Sequence, residues 1–293
     1  MTESSVTPEH TCGTGLRRAQ HRTKANFVCH AVAMAELNGS PATAQDLERL
    51  ALTNYGHFTS MRVDDGAVRG LSLHMERLVR DCNAVFGVQL DTERVLRFIR
   101  HATAQHTGVF TVRVTVFDPN LTLGNIGDPA QPQVLVTTRP GGPLSPAPLT
   151  VKSFAYSRDL PLVKHIGLFS QLQLRRVAKL SGFDDAVFVE PDGRISEGVT
   201  WNLGFVDHDG VVIWPDTPVL PGVTMQLLQS AHGDSATAPV TLSQLGEMRA
   251  AFATNVSVGV WTIKAIDAVH FPMDDPTLDL LRKIYAELPG EPL

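Results

Sequence analysis

Between Pro140 and Pro148 the chain reads Pro-Gly-Gly-Pro-Leu-Ser-Pro-Ala-Pro. Proline fixes φ and has no amide donor, so such a run sustains neither a helix nor a central strand. It reads as an extended spacer. The 293 residues are therefore expected to form a smaller body over 34–139 and a larger one over 150–293, joined by a linker over 140–149. Residues 1–33 differ from both: Arg17, Arg18, Arg22 and Lys24 stand among few apolar positions, and no helical or strand period is sustained. We expect a disordered extension there.

Each body carries its own punctuation. In the first, Asn38-Gly39 signals a hairpin and Thr43 caps a short helix. Tyr55–Val63 reads as a strand turned by Asp64-Asp65-Gly66. A helix over 72–86 places Met75, Leu78, Cys82, Val85 and Phe86 on one stripe and stops at Gly87, with Arg77 off the stripe. A second helix begins at Asp91-Thr92, with Val95, Leu96, Ile99 and Ala102 inward. Val109–Phe117 alternates, setting Val112, Val114 and Val116 on one face and Thr111, Arg113 and Thr115 on the other. Arg113 reads equally as a carboxylate binder or a surface residue. A strand over 133–138 precedes the spacer. In the second body, strands over 150–156 and 250–254 flank a helix over 168–181 that is apolar most of the way around and so is expected to be buried. Pro191-Asp192-Gly193 and Asp209-Gly210 turn hairpins, leaving His208 exposed, and 277–288 reads as a closing helix.

Three positions in the second body carry chemistry. Lys164 follows an apolar run and precedes His165-Ile166-Gly167. Burial lowers an ammonium pKa, and a neutral lysine amine forms Schiff bases; a surface lysine at a strand end fits the local context as well. Glu197 follows the Pro191-Asp192-Gly193 turn, as a solvated acid also would. Gly222-Val223-Thr224 opens a helix whose first amides lack partners, a start suited to phosphate, or an ordinary Pro-Gly turn. Together a nucleophilic lysine, a strand-end carboxylate and an anion-ready helix start are the parts that pyridoxal 5'-phosphate requires.

The order of these motifs resembles the fold-type IV pyridoxal-phosphate enzymes, the class IV aminotransferases and aminodeoxychorismate lyases. The matching positions run from Lys164 through Asp185-Ala186-Val187, Asp192-Gly193, Glu197-Gly198 and Asn202 to Leu220, Gly222, Val223 and Thr224. The resemblance spans about Met34 to about Asp267, which points to Met34 as the natural start. It implies an α+β fold like that of D-amino acid aminotransferase, with a small N-terminal α/β domain and a larger C-terminal mixed domain. It also implies a homodimer with the site in the domain cleft. Lys164 would hold the cofactor as an internal aldimine and move the substrate proton. Glu197 would keep the pyridine nitrogen protonated, and Leu220 would pack on the ring. Arg77, Val223 and Thr224, with the loop of Asn255, Val256 and Ser257, would hold the phosphate. Phe58, Arg113 and Asn202 are the substrate-side candidates, Phe58 reading equally as plain core.

The implied reaction is amino transfer between an amino acid and a 2-oxo acid. Aminodeoxychorismate lysis and a non-catalytic cofactor-binding relative are the alternatives. Phe58-Thr59-Ser60 is closer to the lyase pattern than to the Tyr-Glu of many aminotransferases. Met225, Trp201 and Gly204 depart from the residues common in relatives, and Asp118 stands about where D-amino acid enzymes have an arginine. No other chemistry competes. The chain has no GxxxxGK[ST], HExxH, GxSxG or CxxC, and His101 and His106 are not spaced as a metal pair. A net charge of −5 gives no nucleic-acid footprint. No apolar run reaches the length of a membrane span. Cys12, Cys29 and Cys82 show no disulfide or zinc pattern, which suits a reduced, cytoplasmic protein.

Overall fold

The computed structural model describes residues 35–144 and 146–293. The expected disordered extension, the start at Met34, Cys12 and Cys29 all lie outside the described residues. Asn38 and Gly39 adopt positive φ, 51° and 81°, and turn β1 (Ala35–Leu37) into β2 (Ser40–Pro41). Helix α1 (Ala44–Thr53) is opened by a capping box between Thr43 and Asp46. There follow β3 (His57–Asp64), β4 (Ala67–Val68), α2 (Leu71–Phe86), α3 (Thr92–Thr103), β5 (Val109–Phe117) and β6 (Gln133–Pro140). As the alternation requires, Val112, Val114 and Val116 are fully buried, together with Leu78 and Cys82 of α2 and Val95 and Ile99 of α3. Thr111 and Thr115 on the other face are buried too.

After the spacer come β7 (Leu149–Ala155), α4 (Phe169–Leu180), β8 (Asp185–Val189), β9 (Ile195–Gly198), β10 (Asn202–Asp207) and β11 (Val212–Pro215). Helix α5 (Val223–Ala231), β12 (Ser235–Ala238), a 3-10 turn (Leu242–Glu247), β13 (Met248–Asn255), β14 (Gly259–Ile266), β15 (Val269–His270), α6 (Pro276–Glu287) and β16 (Glu291–Pro292) complete the chain. A seven-stranded sheet runs β16–β4–β3–β5–β6–β1–β2, so the C-terminal strand returns to the sheet built by the first half. A nine-stranded sheet runs β12–β11–β10–β13–β14–β7–β8–β9, with β15 on β14, and β9 also pairs with β10. That last pairing closes the circuit from β10 through β13, β14, β7, β8 and β9 back to β10 into a barrel. Leu149, Val187, Ile195, Trp201, Leu203, Phe205 and Ile263 share one core of this sheet.

Helix α4 overturns one expectation. Only Gln171 and Ala178 are buried, while Phe169, Leu172 and Leu180 are exposed, Phe169 at 78%. The helix meets β7 and β8 along one narrow line, where Leu174 and Ala178 pack on Ala186 and Phe188. Ser170, Gln171, Gln173, Arg175, Arg176 and Lys179 interrupt its apolar positions, so the helix has apolar material for one face rather than for burial all round. Among the described residues, no helix is long and apolar enough to cross a membrane, and no group of three His, Cys, Asp or Glu is placed to hold a metal.

Candidate active site

Lys164 lies in a stretch outside any helix or multi-residue strand, and its backbone is held from two sides. The Phe58 amide of β3 donates to its carbonyl at 2.8 Å, and its own amide donates to Asp81 Oδ2 of α2 at 2.8 Å. The side chain enters a cavity of about 540 Å³, with Nζ 4.8 Å from the centre of the Phe58 ring. Burial, reinforced by Arg77 and Arg158, lowers the amine to about 7, against the pull of Glu197.

Glu197 is buried at the barrel closure, where Asn202 pairs with it on one side and with Thr254 on the other. Its Oε1 accepts from Arg158 Nη1 at 3.2 Å, and its Oε2 accepts from the Leu220 amide at 3.3 Å. Burial pushes the carboxyl up while the Arg158 guanidinium opposes the rise. Arg158 also donates to the Val163 carbonyl at 2.9 Å, so one arginine joins the carboxylate to the residue before Lys164. Sequence reasoning did not single out Arg158. It lies in an aperiodic stretch, and only the fold brings it to Glu197.

Two halves of the cavity lining carry donors suited to an anion. Gly222 caps α5, whose first turn is Val223 and Thr224, both buried. Leu220 precedes it, and its carbonyl accepts from Asn202 Nδ2 at 2.7 Å. A Cβ on Gly222 would stand 2.0 Å from Asn202 Oδ1, which accounts for glycine there. The other half is Arg77. Its Nη2 donates to Thr59 Oγ1 and to His74 Nδ1 at 3.1 Å, and Thr59 meets the same nitrogen at 2.7 Å. Burial first, then Arg77 and Lys164, keep His74 far below its usual range, so a neutral ring accepts from the arginine. Arg77 Nε and Thr254 Oγ1 are buried with no hydrogen-bond partner among the described residues, and both residues line the cavity. Buried donors without partners are uncommon in a finished structure. Beside an amine, a carboxylate and the α5 start, they fit a phosphorylated ring aldehyde such as the pyridoxal 5'-phosphate that the sequence motifs imply.

The remaining expected residues reach the same cavity, with differences. Arg113 stacks on Phe58, its guanidinium 3.6 Å from the ring centre, and its Nε donates to Thr115 at 3.2 Å. Arg113 is half-buried and lines the cavity. Asn202 lines the cavity, but its amide supports the Leu220–Gly222 turn. Asn255 Oδ1 accepts from the Ser257 and Val258 amides at 2.9 and 3.2 Å, so the Ser257 amide turns to its own loop. The residues that depart from relatives are accommodated within the chain. Trp201 Nε1 donates to Asp185 Oδ2 at 2.9 Å, and its ring occupies the space beside Gly198, while the Phe252 ring fills that beside Gly204. Asp185 is also paired with Arg175, which donates to Thr200 at 2.9 Å. Asp118 binds the Asn120 and Gln131 amides, at 2.8 and 2.5 Å, and is absent from the cavity lining.

Solved structures share this architecture. A T.th. branched-chain amino acid aminotransferase, complexed with N-(5'-phosphopyridoxyl)-L-glutamate, is 18% identical. It aligns over 88% of this chain and 94% of that one with a TM-score of 0.77. The branched-chain aminotransferase of Thermoproteus uzoniensis with norvaline is 19% identical over 87% and 96%, with a TM-score of 0.76. A hypothetical aminotransferase from Mycobacterium tuberculosis in its PLP-bound form is 17% identical over 87% and 98%, with a TM-score of 0.73. At these identities the likeness speaks for the fold. No curated protein matches the sequence significantly. The model of the family "Amino-transferase class IV" matches residues 56–266, a span that includes Phe58, Arg77, Lys164, Glu197, Gly222 and Asn255, and the chain belongs to that family.

Proposed function

We propose that the chain is a pyridoxal 5'-phosphate-dependent aminotransferase acting between an amino acid and a 2-oxo acid. The observation that carries this reading is the Lys164 amine, lowered to about 7, opening into the same cavity as buried Glu197 and the first turn of α5. When bound, the cofactor supplies an electron sink conjugated to the carbon that bears the amino group. Lys164 would be the amine that holds the cofactor's aldehyde and the base that takes and returns the proton at the substrate's α-carbon. An amine poised near neutrality suits both tasks. Glu197, steadied by Arg158, would be the carboxylate that keeps the cofactor's ring nitrogen protonated. Arg77, the Val223 and Thr224 amides and the Asn255 to Ser257 loop would hold the phosphate, and Leu220 would pack on the ring. Arg113, whose Nε donates to Thr115, would take a substrate carboxylate beside Phe58. The reading carries with it the two domains joined at 140–149, the cytoplasmic setting and the homodimer expected from the sequence, the last open to sedimentation.

Borohydride reduction of the cofactor-loaded chain, followed by peptide mapping, is expected to label Lys164. A label on another lysine, or none, defeats the proposal. Supplying an amino donor with a keto acceptor is expected to yield new amino acid. Pyruvate and 4-aminobenzoate released from aminodeoxychorismate, without transamination, would put the lyase in its place. Colour on loading with no spectral response to any amine would point to a non-catalytic binder.

A further inference from the structure

Asp81 is fully buried, and nothing above explains why a carboxylate stands there. It sits one turn beyond Arg77 on α2, on the same side of the helix. Its Oδ2 accepts the Lys164 amide at 2.8 Å. Its Oδ1 accepts Arg80 Nε at 3.0 Å and Nη2 at 2.8 Å, and that Nη2 also donates to the Leu162 carbonyl at 2.6 Å. Across the chain, the Lys164 carbonyl accepts from Phe58, and the Ile166 amide reaches the Gly56 carbonyl at 3.0 Å. A buried carboxylate is costly unless its oxygens are bonded. Here one oxygen holds the Lys164 amide, and the other is tied to an arginine that holds the chain two residues earlier. Charge-assisted bonds of this length are strong and directional.

We propose that Asp81 is a positioning residue that fixes the Lys164 main chain, and through it the height of the amine in the cavity. The proposal rests on the reading of Lys164 as the reactive amine. A bland alternative is that Asp81 only balances the charge of Arg80. The two ideas make opposite demands on Asp81→Asn, which keeps an acceptor for the Lys164 amide but loses the charge, and the same demands on Asp81→Leu, which loses both.

The test measures three quantities on the cofactor-loaded parent and both variants. These are hydrogen exchange of the Lys164 amide, kcat and KM for an amino donor, and the melting temperature. Asp81→Asn is expected to keep the amide protected, with kcat within about fivefold of the parent. Asp81→Leu is expected to lose protection and about a hundredfold in kcat with KM nearly unchanged, the scale on which small misplacements of a reacting group act. An Asn variant as impaired as the Leu variant would overturn the proposal, as would a Lys164 amide still protected in the Leu variant. Should Asp81→Leu fail to fold, the Arg80→Met/Asp81→Leu double variant removes the stranded cation. Failing that too, Asp81→Asn decides alone: loss of its amide protection overturns the proposal, and retention with near-parent kcat upholds it. Absence of the borohydride label from Lys164 in the parent would instead defeat the proposed function, while the exchange data would still decide whether Asp81 holds the amide.

Discussion

Helix α2 reaches the cavity with a side chain from its middle, Arg77, and braces the Lys164 segment behind it with Asp81, whereas α5 reaches the cavity with its end, the first turn at Val223 and Thr224. On α2 the reach is possible because the helix buries two stripes. Leu71, Met75, Leu78 and Cys82 face the core, and His74, Arg77 and Asp81 face β3 and the Lys164 segment. On α5 it needs no side chain, only amides that a helix start leaves free. The two helices touch where both begin: a Cβ on Gly70, the cap of α2, would stand 2.8 Å from Val223 Cγ1. A site built from a buried guanidinium should fail by charge, and one built from a helix end should fail by shape.

The largest effect is expected from Arg77→Ala. Losing a charge-assisted contact worth about 2–3 kcal/mol should weaken cofactor binding about thirtyfold to about 150-fold, read by titrating the apo chain. Arg77→Lys should recover only part of this, because one ammonium cannot keep Thr59 and His74 and still reach the phosphate. Binding within about threefold of the parent in Arg77→Ala would assign the anion to α5 alone.

Gly222→Ala tests the other half. Asn202 cannot swing clear of the new methyl without releasing the Leu220 carbonyl, so overpacking should cost about 1–3 kcal/mol in denaturant unfolding. Cofactor affinity should fall by about tenfold, with the charge of the site unchanged. Gly70→Ala is a milder form of the same test. Its φ of 69° disfavours a side chain, and the contact with Val223 adds strain, together about 1–2 kcal/mol. If it weakened cofactor binding as much as Gly222→Ala, the two helices would have to move as one unit.

The same contrast explains what could be read in the chain. The α5 start was legible because its signal is local: Gly222-Val223-Thr224 specifies a turn and a helix start without reference to anything distant. The turns at Asn38-Gly39 and Asp64-Asp65-Gly66 and the alternation of β5 were legible for the same reason. Arg77 and Asp81 look alike on a helical wheel, two polar residues off the apolar stripe. That both are buried is decided by β3 and the Lys164 segment, and motif order brought only Arg77 forward. Arg158 had neither period nor motif. Helix α4 errs in the other direction: its apolar residues suggested burial all round, although six of its twelve residues are polar. The Asn255 loop shows a finer limit, because its polar residues were found but the inward turn of the Ser257 amide depends on side-chain geometry that no pattern encodes.

The smallest effect separates charge from shape at a single atom. Lys164 sits at about 7 through burial first and the positive charge of Arg77 next. Replacing Arg77 by Met removes a like charge, which favours the ammonium form, so the midpoint must rise. Because burial remains the larger cause, the rise should stay below about one unit, or about 1.4 kcal/mol. Gly222→Ala alters no charge and should leave the midpoint where it is. The check is the pH dependence of Lys164 acylation in the apo chain, followed by mass mapping, since only the neutral amine reacts. An unchanged midpoint in Arg77→Met would mean that burial alone sets the amine. A midpoint moved by Gly222→Ala would mean that the α5 turn governs how deeply Lys164 is buried, and the division of labour between the two helices would not hold.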